Sequence, residues 1–595
     1  MSAPDYWVDI ASGSGLVNAS RDTSPYDFPG NDDFCDIFRD LGSLPDDLGE
    51  GFNLPATQGD PARPGVHPGA SARGDLPLAT LGSHRPPSLP VSADRSSDEP
   101  TEQLASRLGK LRIAEDDHLR YYGATSNLHL IRNGLVPCFQ PTIRTVPTHG
   151  EEALKRAGLE WKPDPIYEKH LTNFFFAWHN TFQLLVHEAV YYDHRDRYNS
   201  GLPAAYYSPT LENAILAVGA TYDTQKHPAI DEDPSELFGH RAKVLLEIEM
   251  DSPTLATVQA LLVLAAHEAT LVRDTRGWLY AGMASQLLSD FGLHLDLDAT
   301  SHPGRRTLEM DNDVNLRRSL YWATQCTDIL YSAFTGRPAS NRYDDYSVPI
   351  PEPFPKVPWK PYIDCASPAD LPSGLDAATV GSTHVYLAHL CTKIRRITGT
   401  LYTNPESYSA GVETFVQNMT RELQHWQASL PRDFEIDMAS AKNRAYLPSV
   451  IMLHMQFHES MILLHRPFLS SPWLDQTNSR ENNKSEDSGK ICEDSATMIC
   501  ALVSMYRQQW NLRRIHAQAV AIILAAGLIH THNCCIYSGQ KGVNARKQLS
   551  ICVQALGEMS HFNLSTRALE ILISLRRDWQ MWVSKKPGKR LGREG

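Results

Sequence analysis

Apolar residues recur every three or four positions along most of the chain between residues 121 and 582, the spacing that places side chains on one face of an α-helix. In residues 251–272 this pattern predicts a helix that Ser252 caps and Pro253 begins, where the missing N–H of proline costs nothing. Residues 277–293 predict a second helix, ended by Gly292 in the left-handed conformation. Because alternating strand patterns bounded by hairpin turns are lacking, the expected fold class is all-α.

The next helix is predicted over residues 314–334, stopped by Gly-Arg-Pro at 336–338. Further helices are expected at 166–189, 210–222, 382–402, 410–428, 447–466, 490–510, 512–531, 543–559 and 565–583. Two loops are predicted, at 338–372 with nine prolines and at 471–489 with few apolar residues. Together these elements predict one large multi-helix domain of stacked antiparallel helices.

The helix predicted at 314–334 has an apolar surface wider than one stripe. One face carries Leu320, Ala323, Cys326, Thr327 and Leu330, and a neighbouring face carries Trp322 and Ile329. A helix that is apolar over so much of its circumference is expected to be buried on more than one side.

Composition divides the chain into four regions. Residues 1–52 are acidic with interspersed aromatic side chains, and 53–117 form a Pro-, Gly- and Ser-rich stretch with nine prolines between Pro55 and Pro100. Without regular apolar spacing neither region can bury enough surface to offset the entropy of ordering, so both are predicted to be disordered. The helical domain is expected over 118–583, followed by a basic tail at 584–595.

Charge is unevenly placed along the chain. The net charge is −13, and residues 1–117 alone hold 20 acidic and 9 basic side chains, which leaves the rest nearly neutral. A nearly neutral body offers phosphates no large basic surface, and an acidic arm is repelled by them. The composition therefore argues against unaided DNA binding.

Other bulk features predict an intracellular protein without a membrane span. The ten cysteines are scattered and no Cys-x-x-Cys occurs, which is typical of reduced thiols in the cytosol or nucleus. The first ten residues lack the basic and apolar regions of a secretory signal. The longest apolar run near the C-terminus covers 519–529, well short of the roughly 20 residues that cross a bilayer.

An acidic and aromatic segment at 26–52 is a candidate activation segment. It holds eight acidic residues and one arginine, with Phe28, Phe34 and Phe38 among its aromatic side chains. Such mixing keeps the aromatics in solvent until a coactivator groove binds them. A solvated acidic tail without a partner is the alternative.

Two histidine-containing clusters are candidate metal sites. His454, His458 and His465 share one face of a predicted helix, but Met455 stands where the zinc-protease motif needs glutamate. The sequence HTHNCC at 530–535 is expected at a helix end, and its two adjacent cysteines cannot easily converge on one ion. Packed core histidines and incidental thiols are favoured in both places, so no metal or cofactor is predicted.

Several blocks, in order, carry a family resemblance. They are YYGATSNLHL (121–130), YYSPTLENAILAVGATY (206–222), GWLYAGMASQLLSDFGLHLDL (277–297), RRSLYWATQCTDILYSAFTGRP (317–338), LLHRPFL (463–469) and EMSHFNLSTRALEILISLRRDW (558–579). These blocks resemble the regulatory middle homology domain of fungal zinc-cluster transcription factors, and the nearest branch is that of the nitrate-assimilation activators. The resemblance covers nearly all of 119–583 and implies a helical regulatory domain.

The resemblance implies a set of structurally important positions, and the chain departs from the family pattern in one respect. The family-motif positions are Gly277, Trp278, Gly282, Arg317, Arg318, Trp322, Asp328, Gly336, Arg337, Pro338, His465, Arg466 and Pro467. The family binds DNA through six closely spaced N-terminal cysteines that hold two zinc ions, whereas here only Cys35 and Cys138 precede residue 300. Sequence-specific DNA recognition is therefore not carried over.

Two groups of basic residues have candidate roles. Arg337 is expected to cap exposed carbonyls at the end of the helix 314–334, with ligand contact as the alternative. Lys585, Lys586, Lys589 and Arg590, preceded by Arg576 and Arg577, resemble a bipartite nuclear import signal, and a solvated tail is the alternative.

The sequence-based hypothesis is a nuclear transcriptional regulator of a metabolic gene set (nitrogen or secondary-metabolite genes) that is not an enzyme. It is expected to contact the transcription machinery or a coactivator, to form a homodimer or a heterodimer with a zinc-cluster factor, and to reach DNA only indirectly. Alternatives are a non-DNA-binding partner or antagonist of an intact zinc-cluster factor, and a gene model that lacks the DNA-binding exon. No catalytic signature such as G-x-S-x-G, GxxxxGK[ST] or HExxH is present.

Overall fold

The computed structural model describes residues 110–113, 119–122, 143–295 except 226, 308–340, 348–354, 359, 361–362, 380–402, 411–438, 444–469 and 479–584. All of them belong to one compact unit within 91–595. The candidate activation segment with Phe28, Phe34 and Phe38, most of the predicted linker, and the basic tail with Lys585, Lys586, Lys589 and Arg590 lie outside the described residues.

The described chain is almost entirely helical, which confirms the predicted fold class. It begins with the antiparallel strands β1 (Lys110–Ile113) and β2 (Leu119–Tyr122). The first helices are α1 (Val146–Arg156), α2 (Pro165–Phe174), α3 (Asn180–Gln183), α4 (Glu188–Asn199), α5 (Pro209–Tyr222), α6 (Pro234–Glu249), α7 (Leu255–Thr270) and α8 (Asp274–Asp290). They continue with α9 (Leu308–Thr335), α10 (Val380–Leu401), α11 (Val412–Ala428), α12 (Pro448–His465), α13 (Ser479–Trp510), α14 (Gln518–Ile536), α15 (Gly539–Glu558) and α16 (Asn563–Ser584).

Successive helices pack against one another as pairs. α5 packs on α6, α7 on α8, α9 on α10, α12 on α13, and α14 on both α15 and α16. The central helices α7, α12 and α14 are buried on nearly every side, which explains why their sequences are apolar around the whole circumference.

One of these helices has the dimensions of a membrane span. Within the described residues only α14 is long and apolar enough to cross a bilayer, and 67% of its most apolar stretch is buried inside the protein. A core helix has the same properties.

The predicted core of α9 is confirmed. Leu320, Ala323, Cys326, Thr327 and Leu330 are all buried, and so are Trp322 and Ile329 on the neighbouring face. The helix is longer than predicted, because it begins at Leu308, and it ends before Gly336, whose φ of 68° lies in the left-handed region as the Gly-Arg-Pro stop predicts.

The predicted start of the helix at 251–272 was wrong. The helix α7 begins at Leu255 with Thr254 as its N-cap residue, and the N–H of Thr254 donates to Oγ1 of Thr257 at 2.8 Å. Ser252 lies before this start, in the turn that follows α6, where its amide donates to the carbonyl of Glu249 at 3.1 Å. Gly292 has a φ of 63°, as predicted for its place after α8.

The single helix predicted at 166–189 is broken into several pieces. A π-helical turn at Phe175–His179 follows α2, and Leu184, with a φ of 47°, ends α3. The side chain of Asn180 donates to the carbonyl of Val186 at 2.7 Å and accepts from its N–H at 3.0 Å, which holds the chain in the turn. Neither a left-handed residue nor the bonds between Asn180 and Val186 change the spacing of apolar residues, so the apolar pattern did not reveal the breaks.

Other differences concern polar segments. The helices α1, α4 and α6 were not predicted, and α13 begins at Ser479, inside the stretch 471–489 that was expected to be a loop. Strand β1 lies inside the stretch predicted as a disordered linker. Its partner β2 is attached to the helices by Arg120, which donates to Asp290 and to the carbonyl of Pro253, both at 2.8 Å.

Gly219 permits the closest approach between helices α2 and α5. A Cβ atom at Gly219 would lie 2.7 Å from the carbonyl carbon of Leu171, and backbone atoms cannot move aside as a flexible side chain can. We therefore expect Gly219→Ala to lower the free energy of unfolding by about 3 kcal/mol or more, the upper end of overpacking effects. Chemical denaturation of the full chain, followed by circular dichroism, measures the loss.

The matched control for this prediction is Gly557→Ala in α15. A Cβ atom there would meet nothing within 4 Å, so the substitution is expected to be neutral or to stabilise by about 0.5–1 kcal/mol. Equal stability of the Gly219→Ala variant and the wild type would contradict the packing of α2 on α5.

Candidate regulatory site

The family-motif residues of the central region meet where α8 packs against the end of α9. Gly277 of α8 lies against Tyr331 of α9: a Cβ atom at Gly277 would be 2.8 Å from Cζ of the Tyr331 ring and 2.9 Å from the carbonyl oxygen of Ala265. The Tyr331 hydroxyl donates to the carbonyl of Asp274 at 3.2 Å. The absence of a side chain at Gly277 therefore lets α8 and α9 approach closely enough to make this bond.

Arg337 connects the same two helices, and its predicted role needs correction. Its side chain donates to the carbonyl of Asp274 at 3.1 Å and to Oγ1 of Thr275 at 3.2 Å, and its guanidinium lies 5.2 Å from the centre of the Trp278 ring. Only its backbone N–H, which donates to the carbonyl of Ser332 at 3.2 Å, caps α9. The side chain reaches α8 instead because Gly336 turns the chain back towards that helix.

Asp328 fixes the chain that follows α9. It is fully buried, and its two carboxylate oxygens accept from the N–H of Ser340 at 2.7 Å and from the Ser340 hydroxyl at 3.0 Å. Ser340 in turn lies 3.7 Å from the position of a Cβ atom at Gly282. Asp328 and Gly282 thus hold residues 336–340, including Pro338, against α8 and α9.

The remaining motif residues lie apart from this junction. Arg317 is half-buried and donates to the carbonyl of Phe291 at 3.3 Å, and Arg318 is half-buried on the same helix. His465 is buried between the hydroxyls of Thr420 at 3.0 Å and Ser488 at 3.3 Å, and burial lowers its pKa to about 4. Arg466 is exposed and donates to the Tyr402 hydroxyl at 3.0 Å, with Pro467 next to it.

A cluster of charged residues lies next to the contact of Gly277 with Tyr331, which we call the motif junction. The sequence pattern did not predict this cluster. Its centre is Glu268 of α7, which is completely buried and forms an ion pair with Lys243 of α6. Arg273 and Arg276 approach the same carboxylate at 3.7 and 3.8 Å. The adjacent His267 is buried and contacts the Ser235 hydroxyl at 2.8 Å. We call Lys243, His267, Glu268, Arg273 and Arg276 the Glu268 cluster.

Electrostatics in the Glu268 cluster favour the charged carboxylate. Burial alone would raise the pKa of Glu268, but the neighbouring His267 and Lys243 outweigh it and lower the pKa to about 2. A glutamate in the middle of the apolar run LLVLAAHEATL is the signal that could have revealed it, since unpaired carboxylates are rarely buried.

A pocket opens on another face of α9. Helix α9 contributes Tyr321, Trp322, Gln325 and Ile329 to its wall, α10 contributes Thr392 and Arg395, and Val348 closes one side. We call it the Trp322 pocket; its volume is about 80 Å³. The indole N–H of Trp322 donates to the carbonyl of Pro349 at 2.9 Å and so holds the segment containing Val348 in place.

The histidines considered as metal ligands are packed inside the protein. His454 contacts the carbonyl of Phe434 through Nε2 at 2.7 Å, and burial lowers the pKa of His458 to about 3. Helix α14 continues to Ile536, so the sequence at 530–535 lies in its last turns, at a helix end as predicted. Nε2 of His530 lies 3.5 Å from the Cys500 thiol. Within the described ranges, no three His, Cys, Asp or Glu side chains are grouped so as to hold a metal ion.

Residues 171–428, from within α2 to the end of α11, match the fungal specific transcription factor domain. Over these residues the chain is similar to this family of fungal transcription factors. The motif junction, the Glu268 cluster and the Trp322 pocket all fall inside the matched region. Helices α12 to α16 extend the fold beyond it.

Curated relatives show the same similarity. The chain is 27% identical to the nitrogen assimilation transcription factor nit-4 of Neurospora crassa over 83% of its own length and 44% of the relative. It is 25% identical to the nitrogen assimilation transcription factor nirA of Emericella nidulans, over 82% of this chain and 53% of that protein. An uncharacterised transcriptional regulatory protein of Schizosaccharomyces pombe is 26% identical over 69% of the chain and 65% of the relative. The chain spans about half the length of the first two relatives.

Proposed function

We propose that this protein is a nuclear regulator of transcription that controls a metabolic gene set, with nitrogen-assimilation genes as the first candidates and secondary-metabolite genes as the second. The observation that carries the proposal is the similarity to two nitrogen assimilation factors across more than four fifths of the chain. It acts through the helical domain by contacts with other proteins, because the chain contains no cysteine spacing that could hold the zinc cluster of the family.

The test of the proposed role compares chromatin occupancy and transcript levels in strains with and without the gene, grown on different nitrogen sources. We expect the protein at the promoters of a limited gene set whose transcripts change on deletion. Occupancy that disappears when a zinc-cluster factor is deleted would support the heteromeric form of the proposal. Absence from chromatin under all conditions would contradict a direct regulatory role.

Two alternatives have specific tests. A non-DNA-binding antagonist would co-purify with an intact zinc-cluster factor and would lower the occupancy of that factor when overexpressed. A transcript that encodes a six-cysteine cluster upstream of Met1 would show that a DNA-binding exon belongs to the gene, and sequencing the 5′ end of the transcript decides this point.

Direct DNA binding gives a second prediction. A protein that neutralises several phosphates loses affinity steeply with salt, and this chain carries a net charge of −13 with one short basic cluster at its end. We expect the purified chain to bind duplex DNA no more tightly than about 10⁻⁶ M at physiological salt, without sequence preference. Deleting 585–595 should remove any residual low-salt binding. Tight, sequence-selective binding by the chain alone would contradict the prediction.

The acidic segment gives a third prediction. Residues 26–52 fused to an unrelated DNA-binding domain are expected to activate a reporter gene. Replacing Phe34 and Phe38 with alanine should remove most of that activity, because aromatic side chains supply the buried anchors in a coactivator groove. The matched control replaces two aspartates of the same segment, Asp46 and Asp47, with asparagine, and is expected to keep more activity than the phenylalanine variant. The reverse order would leave bulk charge as the explanation.

A further inference from the structure

The Trp322 pocket has the composition of a binding site for a small ligand. Its apolar wall is formed by Tyr321, Trp322, Ile329 and Val348, each less than one tenth exposed. Its polar side is formed by Gln325, Thr392 and Arg395. Small-molecule sites are concave and mostly apolar, with a few polar groups that fix the orientation of the ligand.

Gln325 lines the pocket with a buried amide group whose hydrogen bonding is incomplete. Its side chain is only 2% exposed, and its Oε1 accepts a hydrogen bond from the Arg395 guanidinium at 3.2 Å. Its Nε2 atom is buried and makes no hydrogen bond with any residue that the structure describes. A buried amide donor without an acceptor destabilises the folded protein, so a group that accepts from it is stabilising.

The donors of the pocket select an acidic ligand. An amide N–H of Gln325 and the guanidinium of Arg395 both donate, and they lie side by side because they bond to each other. The Thr392 hydroxyl donates to the carbonyl of His389 at 2.8 Å, so its proton is not available to a ligand. Adjacent amide and guanidinium donors match the two oxygens of a carboxylate, while Ile329 and Val348 offer contact to a short hydrocarbon group.

We propose that the Trp322 pocket binds a short carboxylate, about the size of acetate. The volume sets this limit: a cavity of about 150 Å³ accepts the six carbon atoms of benzene, so about 80 Å³ accepts three or four non-hydrogen atoms. The carboxylate receives hydrogen bonds from Gln325 and Arg395, and the methyl group lies against Ile329 and Val348. This site extends the proposed function by giving the regulatory domain a ligand, and it does not depend on which genes are controlled.

Calorimetric titration and thermal unfolding of the purified full chain test the site. Sodium acetate at constant ionic strength is expected to bind one molecule per chain with a dissociation constant of about 10⁻³ M and to raise the melting temperature. Acetamide has the same size without the charge and is expected to bind at least tenfold more weakly. Nitrate has the same number of non-hydrogen atoms without a hydrocarbon group and is expected to bind more weakly than acetate.

Two variants assign the binding to this pocket. Gln325→Leu keeps the volume of the side chain and removes its donor, and Arg395→Gln removes the charge; each is expected to weaken acetate binding at least tenfold. The matched control is Arg396→Gln on the same helix, since Arg396 is exposed, is bonded to Glu422 and does not line the pocket. The melting temperature of each variant without acetate shows whether it is folded.

Three results would overturn the proposal. They are no acetate binding by the wild type, equal acetate binding by the wild type and the folded Gln325→Leu variant, and tighter binding of nitrate or acetamide than of acetate. None of these results affects the proposed role in transcription, which rests on the relatives of the chain, so the two proposals fail separately.

Discussion

Replacing Trp322 with alanine is expected to lower the free energy of unfolding by about 3–5 kcal/mol. The indole is 9% exposed, packs edge-to-face with Tyr321 at a ring distance of 5.7 Å, and holds the carbonyl of Pro349 through its N–H. Alanine removes all of these contacts and leaves a cavity next to an existing pocket. Chemical denaturation of the full chain measures the loss.

The control for this prediction is Tyr537→Ala. Tyr537 is 40% exposed, and its ring contacts Lys541 at 4.3 Å, so its removal is expected to cost less than about 1 kcal/mol. If Trp322→Ala unfolded at the same denaturant concentration as the wild type, the indole could not be part of the core.

Glu268→Gln is the second substitution for which we expect a large effect. Removing the carboxylate leaves the Lys243 ammonium, whose side chain is 14% exposed, without its counter-charge, and breaking such a buried pair costs about 3–5 kcal/mol. Replacing both partners, as in Glu268→Leu with Lys243→Met, should cost much less, because no unpaired charge stays buried. A double-mutant cycle of unfolding free energies separates the two effects.

The pH dependence of the Glu268 effect follows from the lowered pKa of this carboxyl. A glutamate in an unfolded chain titrates near pH 4.3, whereas the pKa of Glu268 in the folded protein is about 2. Because the folded pKa is the lower one, the contribution is complete above about pH 4.3 and is lost as the pH falls towards 2. We therefore expect the difference in stability between wild type and Glu268→Gln to shrink over this range.

The exposed pair Arg396–Glu422 provides the matched control. Its side chains are 48% and 40% exposed, and surface pairs of this kind contribute about 0–1 kcal/mol. Glu422→Gln should therefore change stability little. A Glu268→Gln variant that behaved like Glu422→Gln would show that the Glu268 carboxylate is not held in a buried ion pair.

The apolar period predicted the helices that face the core, and for a physical reason. In α9, the residues from Leu320 to Leu330 recur on adjoining faces because a buried helix must present apolar side chains wherever it meets another helix. The helix end at Gly336 could also be predicted, because glycine is favoured where the backbone takes a left-handed conformation that other residues rarely adopt. The sequence missed α4, whose only buried residue is Tyr191, because so little of that helix faces the core.

The sequence by itself determined the all-α fold class, the family resemblance and the lack of zinc-ligand spacing, since each depends on residue types and their local spacing. Only the tertiary structure decided which distant residues meet. The Arg337 side chain bonds to α8, Glu268 pairs with Lys243 from another helix, and Gln325 of α9 bonds to Arg395 of α10 beside a pocket. Such pairings depend on how helices dock, and side-chain period along one helix carries no information about the polar groups of its neighbour.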